Sequence, residues 1–388
     1  MKRIDADWLS SADTQRVFTV LAAAGHQAFA VGGCVRNTLL GVPVSDIDIA
    51  TSATPEETTR LARSAGLKAI PTGFEHGTVT LVSGKTAFEV TTFRHDIETD
   101  GRRAVVVFTN DIREDARRRD FTMNALYVDA AGGVQDPLNG LPDLLARRVR
   151  FIENADARIK EDYLRSLRFF RFHAQYGDPG QGLDADALAA IASNLEGLDS
   201  LAGERVGAEM LKLLAANDPA PALAGMFSTG ALSAILPGAS LQWVAPLVHL
   251  EGEAVQPPDP LRRLAALGGL DPTDRLRLSR SDAKKRNQLT DFVSNLTGLS
   301  EIAWRHGTSV AWSVILLRQA LTEQPLAPNT ASLIERAAKA EFPLKARDLL
   351  DRLQGPALGA ALKRAETAWI KSDFGLDREA LLEIALKE

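Results

Sequence analysis

The chain has 388 residues, 45% of them hydrophobic and 24% charged, which is typical of a globular protein long enough for two or more domains. Its 50 Asp and Glu outnumber 45 Lys and Arg, and this net charge of −5 argues against nucleic-acid binding over the whole surface. One cysteine, Cys34, excludes an internal disulfide, and no apolar leader or membrane-length run is visible. We therefore expect a cytoplasmic protein.

Residues 7–24 carry apolar side chains at helical spacing and predict the first helix. The next stretch, 29–41, is typical of a strand, a Gly32-Gly33 turn and a short helix. Glycines let a backbone approach a phosphate closely, and a helix N-terminus attracts the phosphate charge. The stretch predicts a phosphate cradle, although a tight turn without a ligand stays open from these residues alone.

Asp46 and Asp48 lie two residues apart in the following strand. Because side chains alternate along a strand, both carboxylates are expected on the same face. Adjacent carboxylates repel unless a cation lies between them, and Mg²⁺ combines such oxygen ligands with water and substrate phosphates. The pair predicts a magnesium site, with a solvated strand edge as the alternative.

The combined motif, GGCVRNTLLG followed by SDIDIA, resembles the catalytic signature of the nucleotidyltransferase superfamily. The similarity is to the branch of class II tRNA nucleotidyltransferases and bacterial poly(A) polymerases. It implies that Asp46 and Asp48 are catalytic metal ligands. The residues that it implies for the nucleoside triphosphate are Gly32, Gly33 and Arg36. The family usually has Asp where this chain has Asn37, so a role carried by charge is not expected there.

Residues 54–64 predict a helix, and residues 76–82 and 87–94 alternate as the two strands of a hairpin. By the family resemblance, Glu89 is a third catalytic carboxylate that supports the metal site or the attacking hydroxyl. A plain exposed glutamate is the alternative. The polar stretch 95–103 predicts a mobile loop.

The segment RRRDFTMNAL, residues 117–126, is similar to a second family block. The resemblance implies that Arg119 contacts a phosphate and that Asp120 and Asn124 contact sugar hydroxyls. A carboxylate that accepts a hydrogen bond from a 2′-OH favours ribonucleotides over deoxyribonucleotides. Three consecutive arginines on a solvated face are the alternative.

From residue 157 the pattern becomes helical and includes EDYLRSLRFFRF, which resembles the helix that selects the incoming base in this family. Asp162 and Arg165 are three apart and are expected to be neighbours on one face. An acceptor beside a donor suits cytosine and adenine, whereas uracil and guanine present the reverse order. A surface ion pair is the alternative. The remaining nucleotide-binding residues implied by this helix are Arg168 and Arg171.

Residues 178–388 lack alternating runs and predict helices only. The expected fold is an α+β nucleotidyltransferase head, with a small mixed β-sheet and helices, followed by an all-α neck, body and tail. We place the catalytic head at 1–140, the neck with the base-reading helix at 141–216, and a tRNA-binding body and tail at 217–388. A basic cluster at 276–286 is more simply a solvated helix start than an RNA contact.

The resemblance predicts template-independent addition of C, C and A to the 3′ end of tRNA from CTP and ATP, with Mg²⁺ as cofactor and pyrophosphate as product. The alternatives are poly(A) polymerase on the same scaffold and, from another class, a catalytically inactive RNA-binding protein. The expected partners are the tRNA 3′ end, CTP and ATP, with no membrane and no obligate protein partner.

Overall fold

The computed structural model describes residues 2–100 and 103–387, and for residues 96–100 and 103–105 it describes the backbone alone. The chain divides into two compact units, Met1–Pro237 and Gly238–Glu388. In the part of the chain described, no helix is long and apolar enough to cross a membrane.

The first unit contains the strands, and seven of them form one mixed sheet in the order β3-β4-β5-β2-β1-β8-β9. Strands β2 and β5 run parallel, and the other paired neighbours are antiparallel. The strands are β1 (Ala28–Val31), β2 (Ile47–Thr51), β3 (Lys68–Gly73), β4 (Thr78–Ser83), β5 (Thr86–Thr92), β6 (Arg94–Asp100), β7 (Arg103–Phe108), β8 (Tyr127–Val128) and β9 (Val134–Gln135).

Strands β6 and β7 form a separate two-stranded antiparallel sheet, where the sequence predicted a loop at 95–103. The loop prediction is wrong for the described residues, because the apolar run 104–108 (AVVVF) pairs with the polar strand before it. Residues 101 and 102, also inside the predicted loop, lie outside the described residues.

Helices surround the sheet and then continue alone to the end of this unit. They are α1 (Asp7–Ser10), α2 (Ala12–Ala22), α3 (Gly33–Leu40), α4 (Pro55–Ser64), α5 (Ile112–Arg117), α6 (Leu141–Leu145), α7 (Ala155–Glu161), α8 (Leu164–Tyr176), α9 (Ala185–Ala192), α10 (Gly203–Leu214), α11 (Ala220–Ser228) and α12 (Ala231–Ile235). Short 3₁₀ turns lie at Phe74–His76, Thr122–Asn124, Pro179–Gln181 and Leu195–Ser200.

Two predicted helices are each divided by a capping residue. Ser11 ends α1 and its hydroxyl accepts from the Thr14 backbone N–H, so residues 7–24 form two helices. Asp162 lies between α7 and α8, and its carboxylate accepts from the Leu164 backbone N–H at 3.1 Å. Both breaks arise because a side chain satisfies an N–H that a continuous helix would have bonded to a carbonyl.

Two apolar clusters hold α8 and the sheet in place. Beside the sheet, Phe29 stacks on Phe93 with ring centroids 6.3 Å apart. Behind α8, Phe121 packs on Phe172 at 4.9 Å, and Phe151 stacks on Phe169. These rings fix α8 against the segment that follows α5, and this arrangement brings several arginines together.

The second unit is helical throughout its described residues. Its helices are α13 (Val244–Glu253), α14 (Pro260–Leu267), α15 (Pro272–Arg275), α16 (Arg280–Ser294), α17 (Leu299–His306), α18 (Thr308–Thr322), α19 (Thr330–Ala338), α20 (Gly355–Lys371) and α21 (Arg378–Leu386), with a 3₁₀ turn at Ala346–Asp348. Inside it, the buried Glu251 carboxylate accepts hydrogen bonds from Arg262 and Arg263 on α14. The α+β head followed by helices alone confirms the predicted fold class.

Candidate functional site

The Gly32-Gly33 turn lies directly against two of the predicted site residues. Gly32 precedes α3 with φ of +72°, a backbone conformation that residues other than glycine rarely adopt. A Cβ at this position would lie 3.5 Å from Arg119 Nη1 and 4.0 Å from Asp48 Oδ2. The turn, one carboxylate and one guanidinium therefore form a single group around the N-terminus of α3.

Asp48 lies at the centre of three acidic side chains. On β2 it is opposite Glu89 of the parallel strand β5, and Asp46 lies two residues before it. Burial raises the pKa of Asp48 to about 6; the charges of Glu89 and Asp46 also raise it, and Arg119 opposes them. Asp46 is exposed and accepts from the Ser45 hydroxyl at 2.8 Å. The arrangement concentrates negative charge beside the turn.

This donor set fits a metal that is shared with a substrate. Among the described residues, no group of three or more His, Cys, Asp or Glu is arranged to hold a metal ion by itself. Mg²⁺ usually binds through one or two carboxylates and takes its other ligands from water and phosphates. Asp46 and Asp48 supply two such carboxylates, and Asp48 lies beside the Gly32 turn.

Arg119 is oriented by an acid that the sequence reasoning missed. Asp115, only 1% exposed, accepts from Arg118 Nε at 2.8 Å, Arg119 Nη2 at 3.2 Å and the Tyr127 hydroxyl at 2.7 Å. Burial would raise the pKa of Asp115, but the Arg119 and Arg118 guanidiniums outweigh it and hold this pKa below its usual range. The ionised Asp115 therefore fixes the guanidinium that faces Gly32.

Arg36 is buried, and its hydrogen-bond partners among the described residues are all neutral. Its Nε and Nη2 donate to the Asn37 side-chain oxygen at 3.1 and 2.8 Å, Nη1 donates to Asn124 at 2.6 Å, and Nη2 also donates to the Tyr176 hydroxyl. The Tyr176 ring lies 4.0 Å from the guanidinium carbon. Burial lowers the pKa of Arg36. The side chain is thus held rigidly without a carboxylate in hydrogen-bond contact among the described residues.

Asp120, Asn124 and Arg168 form a connected set beside Arg36. The buried Asp120 accepts from Asn124 Nδ2 at 2.8 Å, from Arg168 Nε at 2.8 Å and from the Phe121 backbone N–H. Burial would raise the pKa of Asp120, but Arg168 and these hydrogen bonds lower it to about 2. Both carboxylate oxygens of Asp120 therefore carry protein hydrogen bonds, a contact set that the predicted sugar-binding role did not include.

Asp162 and Arg165, predicted as neighbours on one helix, have separate partners. Asp162 follows α7 and pairs with Arg205 of α10 at 2.7 Å. Arg165 lies in α8 and pairs with Glu161 at 2.6 Å, and its Nη2 also donates to the Arg118 carbonyl. The predicted continuous helix is wrong at Asp162. The roles of both side chains in base reading stay predictions.

Arg171 lies on the side of α8 that faces α10. Its Nε donates to Glu209, and its Nη1 donates to Gln175 at 3.1 Å. Its guanidinium carbon lies 4.5 Å from the Phe172 ring, the same ring that Arg36 and Arg168 approach at 5.1 and 5.2 Å. Arg171 therefore joins the Arg36 set through Phe172 and is anchored by a buried acid.

Comparisons with known proteins identify the family. Residues 28–150 match the model of the poly A polymerase head domain, and residues 182–242 match the model described as the probable RNA and SrmB-binding site of polymerase A. The CCA-adding enzyme of Geobacillus thermodenitrificans (strain NG80-2) is 36% identical over 352 residues, which cover 86% of this chain and 85% of that protein. The chain belongs to the tRNA nucleotidyltransferase family.

Two further members of the tRNA nucleotidyltransferase family show how the similarity is distributed. The protein named CCA tRNA nucleotidyltransferase 1, mitochondrial, of Homo sapiens is 41% identical over 218 residues, or 54% of this chain. The matched part of this chain spans about half of the length of that relative (50%). The solved Bacillus stearothermophilus CCA-adding enzyme in complex with CTP superimposes with a TM-score of 0.74 at 27% identity over 96% of each chain.

Membership confirms the resemblance that the GGCVRN and SDIDIA motifs predicted. The tRNA nucleotidyltransferase family implies the use of a divalent metal, and the oxygen donors of Asp46 and Asp48 agree with it. The individual residue roles are not decided by these similarities.

Proposed function

We propose that this protein adds C, C and A to the 3′ end of tRNA, using CTP and ATP without a nucleic-acid template. The observation that carries the proposal is the meeting of Gly32, Asp48, Glu89 and Arg119 in one group. Such a group offers backbone N–H donors and a guanidinium to phosphates, and carboxylates to a cation. Relatives named CCA-adding enzyme, one of them solved with CTP, support these substrates.

Triphosphate binding is assigned to the start of α3 and to two arginines. Gly32 and Gly33 would present the free N–H groups of the helix N-terminus. Arg119 donates from Nε to Tyr127 and from Nη2 to Asp115, and its Nη1 is directed toward Gly32. Arg36 would add a fixed positive charge, since its hydrogen-bond partners among the described residues are neutral.

Asp46 and Asp48 would hold Mg²⁺ beside the triphosphate-binding turn. Bound Mg²⁺ supplies stabilisation of negative charge on the attacking and leaving oxygens of an in-line displacement. Glu89 lies opposite Asp48 and would orient that carboxylate or accept a hydrogen bond from the hydroxyl. The other side chains of the site would position the triphosphate and the 3′ hydroxyl for reaction, and the hydrogen bonds that hold these side chains favour this role.

Nucleoside selection is assigned to the segment around the α7–α8 break. Asp162 would accept from the amino group of cytosine or adenine, and Arg165 would donate to the adjacent ring nitrogen. Uracil and guanine would leave buried polar groups unpaired, at about 1–3 kcal/mol for each group. Asp120 and Asn124 would bind the ribose. Arg168 and Arg171 would place their positive charges beside it as further nucleotide-binding residues. In this proposal, Arg205 and Glu161 hold the two base-reading side chains until a nucleotide arrives.

The deciding experiment gives the protein a tRNA that lacks its three 3′ nucleotides, together with CTP, ATP and Mg²⁺. Three added nucleotides followed by a stop support the proposal. Long A tails without C would indicate a poly(A) polymerase, and tRNA binding without pyrophosphate release would indicate an inactive RNA-binding protein. Asp46→Ala is expected to abolish incorporation while tRNA binding remains, and Mg²⁺ omission should act in the same way.

We also propose a cytoplasmic location and the division into a head at 1–140, a neck at 141–216 and a tRNA-binding body and tail at 217–388. A fluorescent fusion expressed in its native cell would test the location. Limited proteolysis would test the division, since cuts are expected near residues 140 and 216 before the compact parts are degraded.

A further inference from the structure

The second unit contains one concentrated patch of positive charge. Over residues 238–388 there are 20 Lys and Arg against 19 Asp and Glu, so the unit as a whole is nearly neutral. Six of the 20 cations lie within the twelve residues 275–286, against the single acid Asp282. This stretch, here called the 275–286 basic segment, therefore differs from the rest of its unit.

Four cations of the segment are exposed and have no ion-pair or hydrogen-bond partner among the described residues. They are Arg275, Arg277, Arg280 and Lys284. The other two are engaged: Lys285 pairs with Asp259 at 2.7 Å, and Arg286 donates to the Asn287 side chain. Most arginines around the active-site group, by contrast, are held by carboxylates. Unpaired surface cations are available to a polyanion.

The backbone of the segment is well anchored, so these cationic side chains extend from fixed backbone positions. Leu276 is buried at 1% exposed, whereas its sequence neighbours Arg275 and Arg277 are exposed. Leu278 N–H donates to the Thr273 carbonyl at 3.0 Å, and Ser279 caps α16 through the Asp282 N–H. Arg280 and Lys284 are four apart on α16 and lie on one side of it. Cations on an anchored backbone lose less entropy when they bind phosphates.

We infer that the 275–286 basic segment binds the phosphodiester backbone of the tRNA substrate and supplies much of the salt-dependent affinity of this protein for tRNA. The choice of tRNA as the partner rests on the proposed function. An acidic protein is the other polyanion of matching charge, and it is favoured less because the substrate of the family is itself a polyanion.

The test compares two quadruple variants with the same change in charge. The first is Arg275→Gln, Arg277→Gln, Arg280→Gln and Lys284→Gln. The matched control neutralises four other exposed cations of the same unit, which also lack partners among the described residues. Its substitutions are Lys339→Gln, Arg352→Gln, Lys363→Gln and Lys371→Gln. Affinity for a tRNA lacking CCA is measured by fluorescence anisotropy across a salt series, and circular dichroism checks that each variant is folded.

The segment variant should weaken tRNA binding about 10- to 100-fold at low salt and make the slope of log K against log salt shallower by about 3, since each lost phosphate contact removes about 0.7–0.9 from the slope. Its KM for tRNA should rise while its KM for CTP stays unchanged. The two half variants, R275Q/R277Q and R280Q/K284Q, should each give about half of the slope change, which keeps the test decisive if the quadruple variant misfolds.

An unchanged slope in the segment variant would overturn the inference and leave an acidic protein as the remaining partner. An equal loss in the control variant would also overturn it, because only net charge would then matter. Failure of the proposed function looks different: the unmodified protein would bind tRNA with the segment dependence and incorporate no nucleotide.

Discussion

Asp115 offers the sharpest test of how the site is positioned. The change Asp115→Asn keeps the shape of the side chain and one acceptor oxygen but removes the charge that holds Arg118 and Arg119. Both guanidiniums contact this one carboxylate, at 2.8 and 3.2 Å, and only 1% of Asp115 is exposed. Breaking a buried ion pair from one side costs about 3–5 kcal/mol. The cost here is expected near the lower end of that range, because the Arg118 and Arg119 side chains are only partly buried, at 16% and 17% exposed.

We expect Asp115→Asn to lower the free energy of unfolding by about 3 kcal/mol, since the remaining oxygen keeps part of the bonding. We also expect the KM for CTP to rise about tenfold, equivalent to about 1.4 kcal/mol, as Arg119 loses its orientation toward Gly32. The matched control is Tyr127→Phe, which removes one hydrogen bond to Asp115 and one from Arg119 but keeps both charges. It should cost only about 1 kcal/mol and leave KM within about threefold.

The pH dependence of stability separates the charge from the hydrogen bonds. The folded-state pKa of Asp115 lies below its usual range, so ionised Asp115 contributes stability above the unfolded pKa of about 3.9. That contribution is lost as the pH falls through the lower folded pKa. The stabilities of the unmodified protein and Asp115→Asn, measured by urea unfolding, should therefore converge in acid. Equal effects of Asp115→Asn and Tyr127→Phe, or a stability loss with unchanged KM, would refute the reasoning.

Three further substitutions probe the same unit. Gly32→Ala forces a side chain into a left-handed conformation at a cost of about 1–2 kcal/mol and should abolish incorporation with only a small shift in melting temperature; full activity would contradict the turn as a phosphate contact. Asn37→Asp places a carboxylate on Arg36, so the KM values for CTP and ATP should rise about tenfold while tRNA affinity is unchanged. The control is Asn37→Ala, which adds no charge. Equal KM values in the two variants would contradict the electrostatic reason. Arg205→Ala frees Asp162 and should lower the preference for CTP over UTP by about fivefold, as competition assays would show. The loss in stability should be under 1 kcal/mol, as thermal melting would show. An unchanged preference would contradict a role of Asp162 in base reading.

The parts of the site that could be predicted are those with short-range patterns. A strand, a Gly32-containing turn and a helix follow one another within a few residues, so local spacing is sufficient there. The predicted strand is displaced at its start, because β2 begins at Ile47 and therefore contains Asp48 but not Asp46. The helical second unit is likewise visible in the absence of alternation. In each case the signal lies within one or two turns of the chain.

The missed residues act across long sequence separations. Glu209 reaches Arg171 over 38 residues, and Arg205 reaches Asp162 over 43, so no local pattern links either pair. Asp115 is different, because its spacing of three and four from Arg118 and Arg119 is the ordinary spacing of ion pairs on a helix and could have been noticed. The α7–α8 break was also signalled, since an Asp side chain commonly accepts from the backbone N–H two residues on, as Asp162 does from Leu164.

The two units hold their cations in different ways, and this difference predicts how salt should act. In the first unit the buried acids Asp115, Asp120 and Glu209 fix partly buried arginines, and dissolved ions screen such pairs less than exposed ones. The free cations of the 275–286 basic segment are exposed, and their contacts with phosphates are fully open to competition. Raising salt should therefore increase the KM for tRNA steeply while it changes the KM for CTP much less. Parallel increases in both KM values would mean that the arginines of the first unit are screened as surface charges, which their burial argues against.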